Sequence, residues 1–190
     1  ELGLSPDQPL IGIVSVIRSW KGHEHFVDSA PLVLEKFPDA RFAIVGSGPA
    51  YESIRARVKN QGLEKFIFVL GHREDIPEVM AALDIHCVAS FGMEGTTQVI
   101  PQALAMKTPT VSTRMDSILP ILGNGEWGIL VEPENPQDMA NGIMKLLNNP
   151  ELAQSMAETG YTFCKNELSI DKMMDQVVAV YHDVLSSSYP

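Results

Sequence analysis

Short, nearly continuous apolar runs recur along the chain, separated by longer segments whose apolar residues fall three and four positions apart. The runs occupy residues 11–17 (IGIVSVI), 42–45 (FAIV), 66–69 (FIFV), 85–89 (IHCVA), 109–112 (PTVS) and 128–131 (GILV). Strands buried on both faces have this pattern, because neither face has to meet water. Between them, residues 26–37 place Phe26, Ala30, Val33, Leu34 and Phe37 on one helical stripe, and residues 50–61 set Ile54 and Val58 one turn apart. Residues 76–83, 98–106 and 137–147 keep the same rhythm. Strands alternating with helices predict βαβ units with right-handed crossovers. The fold expected is therefore α/β, a doubly wound, Rossmann-like parallel sheet of about six strands, with residues 1–190 as one domain. After Val131 the pattern becomes helical only: residues 137–147, then 151–163 beyond Pro150, then 170–185. The last of these carries Met173, Val177, Val180, Tyr181 and Val184 on one face, to pack on the sheet or to reach toward a second domain. Residues 186–190 predict a frayed end.

The chain has 190 residues, with 24 acidic and 14 basic side chains and a formal charge of −10. That balance argues against broad nucleic-acid binding, which needs a cationic face, but leaves room for one anionic small molecule held by a few cations. No apolar run reaches the ~18 residues that a membrane-spanning helix needs. The first ten residues lack the basic and apolar regions of a signal peptide, and Glu1 in place of methionine suits a domain taken from a longer protein. Cys87 and Cys164 match no metal or redox spacing, and Cys87 falls in an apolar run as a core residue would. A reducing cytoplasm fits both.

In open α/β sheets ligands bind beyond the carboxyl ends of the strands, so the loops there carry the chemistry. The first loop holds Arg18, Trp20, Lys21 and Gly22; two cations three residues apart can clamp a diphosphate or decorate a solvated turn. His23 and His25 follow, with nothing nearby to complete a metal site. The second loop, Val45-Gly46-Ser47-Gly48-Pro49, lacks the third glycine and the downstream acid of a dinucleotide fingerprint. It reads as a turn lining the site, with Pro49 opening the next helix. The third loop, Gly71-His72-Arg73, lets a planar base approach the backbone. The fourth is the most informative. Glu94, Gly95, Thr96 and Thr97 precede Gln98 and an apolar-periodic run, so free amides of residues 95–98 face outward at a helix start and favour an anion. Gln102 lies one turn after Gln98 on the same face. Glu94 can accept from sugar hydroxyls or act as a capping acid. No Walker P-loop, D-x-D pair or G-x-S-x-G elbow occurs.

These motifs come in a definite order: a K-G loop, V-G-x-G-P, L-G-x-x-x-D-I-P, E-G-x(6)-Q-A-L-A-x-x-x-P-x-V and G-I-L-V-x-P. In that order the chain resembles the C-terminal, donor-binding half of retaining GT-B glycosyltransferases of family 4, the group 1 glycosyltransferases. The resemblance implies half of a GT-B fold that binds a nucleotide-diphosphate sugar, with the acceptor held by an N-terminal domain absent from this chain. It implies Lys21 and Gly22 as the family's loop cation and glycine, and Glu94 as the first acid of an E-x7-E motif. It also implies Gly95, Thr96 and Thr97 as the cradle of the distal phosphate, and His72–Arg73 as the region near the base. Two positions depart from the family: Val16 stands for an arginine, for which Arg18 is the substitute, and Gln102 stands for the second glutamate, which holds the ribose.

The implied catalytic set is Lys21, Arg18 and Glu94, and the donor-binding set is Gly95, Thr96, Thr97, Gln98, Gln102, Gly71, His72, Arg73 and Gly46. The expected reaction is retaining, metal-independent glycosyl transfer with no cofactor, and the isolated domain transfers little or nothing. Partners expected are a nucleotide-sugar donor and a glycan or lipid-linked acceptor, with no nucleic acid. The expected location is the cytoplasm, with peripheral contact of the full-length protein at the inner face of its membrane. A sugar phosphorylase or sucrose-synthase-like enzyme on the same fold, and a non-catalytic nucleotide-binding or scaffolding module, are the alternatives.

Overall fold

The computed structural model describes residues 2–95 and 97–186. Six strands, β1 (Leu10–Val14), β2 (Arg41–Val45), β3 (Ile67–Gly71), β4 (Ile85–Val88), β5 (Thr110–Thr113) and β6 (Ile129–Val131), form one sheet. Its order is β3-β2-β1-β4-β5-β6 and every pairing is parallel. The interleaved helices are α1 (His23–Leu34), α2 (Tyr51–Asn60), α3 (Ile76–Ala82), α4 (Val99–Ala105) and α5 (Pro136–Leu147). Two more, α6 (Pro150–Glu167) and α7 (Ile170–Ser186), close the described chain. This is the doubly wound α/β arrangement the sequence predicts, with extra C-terminal helices.

Strand alternation divides the core. Ile11, Ile13, Phe42, Ile44, Ile85, Cys87, Val111 and Ile129 point to one face, where Phe26, Val27, Ala30 and Val33 of α1, Ile54 and Val58 of α2, and Met139 and Ile143 of α5 cover them. Val14, Ala43 and Val45 point the other way against Met80 of α3 and Ala103 of α4. Val88 meets Ile100 and Leu104 of α4 with Ile118 and Leu122. α6 starts beside the first core at Ala153 and Met156, and ends beside α4 at Phe163 and Cys164. Both α5 and α6 begin with the same local device: Asn135 and Asn149 accept from the amides of Asp138 (3.0 Å) and Leu152 (3.1 Å), each followed by proline at the first helical position.

The first apolar run is longer than its strand. β1 stops at Val14, but the amides of Ser15 and Ile17 still bond to the carbonyls of Val45 (3.0 Å) and Ser47 (2.9 Å), and Ile17 is fully buried. Burial accounts for Ile17 alone: Ser15 is half-buried and Val16 is 51% exposed, so the apolar run outlasts both the strand and the core. Pro49 does not open α2, whose first residue is Tyr51; it belongs to the preceding turn. Pro101 is the third residue of α4, where the missing N–H costs nothing because the first four amides of a helix have no intrahelical acceptor. α7 does not pack on the sheet. None of its residues is buried, and Met173, Val177, Val180, Tyr181 and Val184 are exposed. Beyond Ser186 the expected frayed end lies outside the described residues. No helix among the described residues is long and apolar enough to cross a membrane.

Candidate functional site

The strand order turns back between β1 and β4, whose only shared boundary is the switch point of the sheet. A narrow cleft of about 10 Å³, nearly filled by its own side chains, lies there, lined by Ser15, Lys21, Ala89, Ser90, Glu94 and Thr97. The β1–α1 and β4–α4 loops meet across it. The Phe91 amide donates to the Trp20 carbonyl (3.0 Å), and Gly22, at φ +67°, sits so close to β4 that a Cβ there would lie 1.9 Å from the Ala89 carbonyl oxygen. A 3-10 turn, Ser19–Lys21, then lifts Lys21 into the crevice.

Lys21 Nζ donates to Glu94 Oε1 in a side-chain ion pair. The Glu94 side chain is 6% exposed and that of Lys21 21%, so the pair is sheltered from solvent. Ser90 Oγ donates to the same carboxylate oxygen (2.5 Å), and the Ser90 carbonyl accepts from Thr113 Oγ1 (2.5 Å). The acid is thus anchored from β4 and β5 together. Glu94 is not a capping acid, because the residue preceding α4 is Gln98 and no side chain caps that helix.

His23, the first residue of α1, is fully buried, and its Nε2 lies 3.2 Å from Ser15 Oγ. Burial, aided by the nearby Lys21 charge, lowers its pKa to about 4, so the ring is neutral near pH 7. His25 stacks edge-on against Phe91 at 5.7 Å. Among the described residues no three His, Cys, Asp or Glu side chains are grouped as metal ligands. Cys87 is a core residue whose thiol pKa is pushed up by burial.

The remaining expected residues divide. Thr97 is buried in the crevice wall, and Gly95 is exposed with open space where a Cβ would stand. Thr96 lies outside the described residues. Gln98 and Gln102 are exposed one helical turn apart. Arg18 does not join Lys21 as a clamp: it precedes the 3-10 turn in an extended conformation, is exposed, and holds its guanidinium 5.1 Å from the Trp20 ring centre. The Gly71 carbonyl accepts from the Gly46 amide (2.7 Å), which ties the third loop to the second. Gly46 itself packs on the first loop, where a Cβ would lie 1.9 Å from the Ser15 carbonyl oxygen. His72 is exposed. Arg73 Nε donates to Asp75 Oδ1 (2.7 Å) within its own loop. This pair stands at an apolar groove of about 470 Å³ beside β1–β3 and α3, apart from the Lys21–Glu94 crevice. The Ser15–His23 contact has no spacing signal that sequence alone displays.

Among known proteins, the chain is 26% identical over 180 residues to the alpha-D-kanosaminyltransferase of Streptomyces kanamyceticus, covering 94% of this chain and 46% of that one. It superposes on Alr3699/HepE of Anabaena, solved with UDP, with a TM-score of 0.86 at 22% identity, over 93% of this chain and 49% of that one. It also superposes on the C-terminal domain of LpcC, a glycosyl transferase group 1 family protein of Francisella tularensis, with a TM-score of 0.75 at 29% identity, over 85% and 87% of the two chains. The chain spans about half the length of the curated relatives it matches. The model of the family "Glycosyl transferases group 1" matches residues 1–163, a match that takes in every strand and the whole crevice, and the chain belongs to that family.

Proposed function

We propose that this chain binds a nucleotide-diphosphate sugar and forms the donor half of a retaining, metal-independent glycosyltransferase of GT-B type and family 4. The observation that carries this reading is the Lys21–Glu94 pair at the switch point of the sheet. Breaking a sugar–phosphate bond builds negative charge on the departing diphosphate, and a fixed ammonium beside backbone amides stabilises that charge by a few kcal/mol per well-placed donor. Lys21 and the amides near Gly95–Thr97 fill this role. An arriving diphosphate competes for Lys21 and releases Glu94 toward the sugar hydroxyls. Gln102 and Gln98 face the ribose from α4. Arg18, held on the Trp20 ring, is left out of this set. The solved relative with UDP, and another of the same protein with UDP-glucose, support the ligand class.

No nucleophile is needed on this chain, since the acceptor attacks from the face the diphosphate leaves, and any general base comes with the acceptor. The acceptor, a glycan or lipid-linked sugar, binds the half that precedes this one in the full-length protein. The exposed apolar face of α7 is where that half docks. The whole protein works in the cytoplasm, at the inner face of the membrane.

Calorimetry of the chain with UDP, GDP and ADP and their sugar conjugates tests the proposal. One nucleotide is expected to bind, and Lys21→Ala is expected to weaken it at least about tenfold by removing a charge-assisted contact. Glu94→Gln is expected to weaken the nucleotide sugar more than the bare nucleotide. Absence of binding to any nucleotide favours a non-catalytic scaffolding module, and undiminished binding by Lys21→Ala removes the diphosphate from this crevice.

A further inference from the structure

We infer that the Ser15 hydroxyl is a further donor to the diphosphate and that His23 is the positioning residue that aims it; this rests on the donor-site reading above. Ser15 is the first residue beyond β1 and lines the same crevice as Lys21, Ser90 and Glu94. Its backbone is held on two sides, by its amide on Val45 O (3.0 Å) and by Gly46 packed over its carbonyl. The side chain therefore has little freedom except about χ1, and His23 Nε2, 3.2 Å from Oγ, selects the rotamer.

The proton on His23 decides what Ser15 offers. His23 Nδ1 is buried with no hydrogen-bond partner among the described residues. A buried N–H without an acceptor is rarer and costlier than a bare lone pair, so Nδ1 is the bare nitrogen and Nε2 carries the hydrogen. Nε2–H then donates to Ser15 Oγ, and the serine keeps its own proton to give. The other acceptor in reach, the Val16 carbonyl at 3.4 Å, is too far for a good O–H···O bond. An anionic phosphate oxygen in the crevice is a far better acceptor. The neutral imidazole suits this role, because a charged ring would have to give up a second proton it cannot bond. Val16, where the family resemblance calls for arginine, brings no charge to this end of β1, and a hydroxyl held from behind supplies a neutral donor in its place.

The test is a double-mutant cycle on the full 190-residue chain, read by calorimetry with whichever of UDP, GDP and ADP binds the wild type. Ser15→Ala is expected to weaken binding about tenfold and Ser15→Thr to restore most of it, as for one hydrogen bond to a charged acceptor. His23→Leu is expected to weaken binding in the wild-type background and to add nothing in Ser15→Ala, whereas His23→Gln, which keeps an N–H donor, retains more affinity than His23→Leu. If His23→Leu loses its fold by circular dichroism, the Ser15 pair and His23→Gln decide. Wild-type affinity in Ser15→Ala, or additive losses in the double variant, overturn the inference while Lys21→Ala still reports on the donor site. Failure of the wild type to bind any nucleotide overturns both.

Discussion

Replacing Gly22 by alanine isolates how the two loops of the crevice are joined. An added methyl at residue 22 meets two costs. The residue sits at φ +67°, which an alanine adopts at about 1 kcal/mol. Its Cβ would also stand 1.9 Å from the Ala89 carbonyl oxygen, so the β1–α1 loop must retreat from β4 by about 1 Å or more. Overpacking of this kind against backbone costs about 1–3 kcal/mol. Gly62 supplies the matched control: it has φ +68° just after α2, and no atom of the described residues lies within 4 Å of where a Cβ would stand. Gly62→Ala is expected to lose about 1 kcal/mol and Gly22→Ala about 3 kcal/mol. At this chain length those losses correspond to about 2–4 °C and about 6–12 °C in Tm. Thermal melts followed by circular dichroism read the difference directly. Because Lys21 precedes the displaced residue, nucleotide affinity should fall in Gly22→Ala and hold in Gly62→Ala. Equal melting temperatures for the two variants would refute the claim that contact with Ala89, over and above backbone conformation, fixes this loop.

Two further outcomes follow from the geometry. Stability is expected to fall between about pH 7 and 5, because burial lowers the pKa of His23 to about 4 and of His86 to about 3, both below the ordinary 6.5. The unfolded chain then binds more protons below pH 6.5, so stabilisation present above that value is lost on acidification, by about 2 kcal/mol per ring over this span. Urea melts across the range measure it; His86→Leu should remove about half of the slope, and an unchanged slope would exclude His86 as its source. Gln102→Ala should weaken a ribonucleotide more than its 2′-deoxy analogue, and equal losses in calorimetry would take Gln102 away from the ribose.

The six strands are legible in the sequence because a parallel sheet covered on both faces leaves no polar register to interrupt the β-branched runs. Lys21 and Glu94 enter the sequence reading separately, through the resemblance; their pairing is not legible there, because it comes from the strand order that sets their loops side by side. Arg18 misleads because spacing along the chain is not direction in space. It stands before the 3-10 turn that raises Lys21, and leaves toward Trp20. The Gly46-Ser47-Gly48 segment is legible as a turn and not a complete dinucleotide cradle; what the sequence does not show is that its glycines are needed for contact with the carbonyls of Ser15 and Ile17. His86 is hidden inside an apolar run, and both its ring nitrogens are buried without partners among the described residues, which no periodicity records. The Ser15–His23 contact depends on where β1 ends and α1 begins, a matter of one or two residues.

The loops at the carboxyl edge of the sheet are stitched to one another. The second lies on the first through Gly46 and Gly48, and the first lies on the fourth through Gly22 and the Trp20 carbonyl. Insertions or bulky replacements in any one of them must therefore be accommodated by all three. Tolerance for change is displaced to places such as the open turn at Gly62 on the far edge. Such a chain can drift widely in sequence while transmitting its crevice from ancestor to descendant as a single inherited unit.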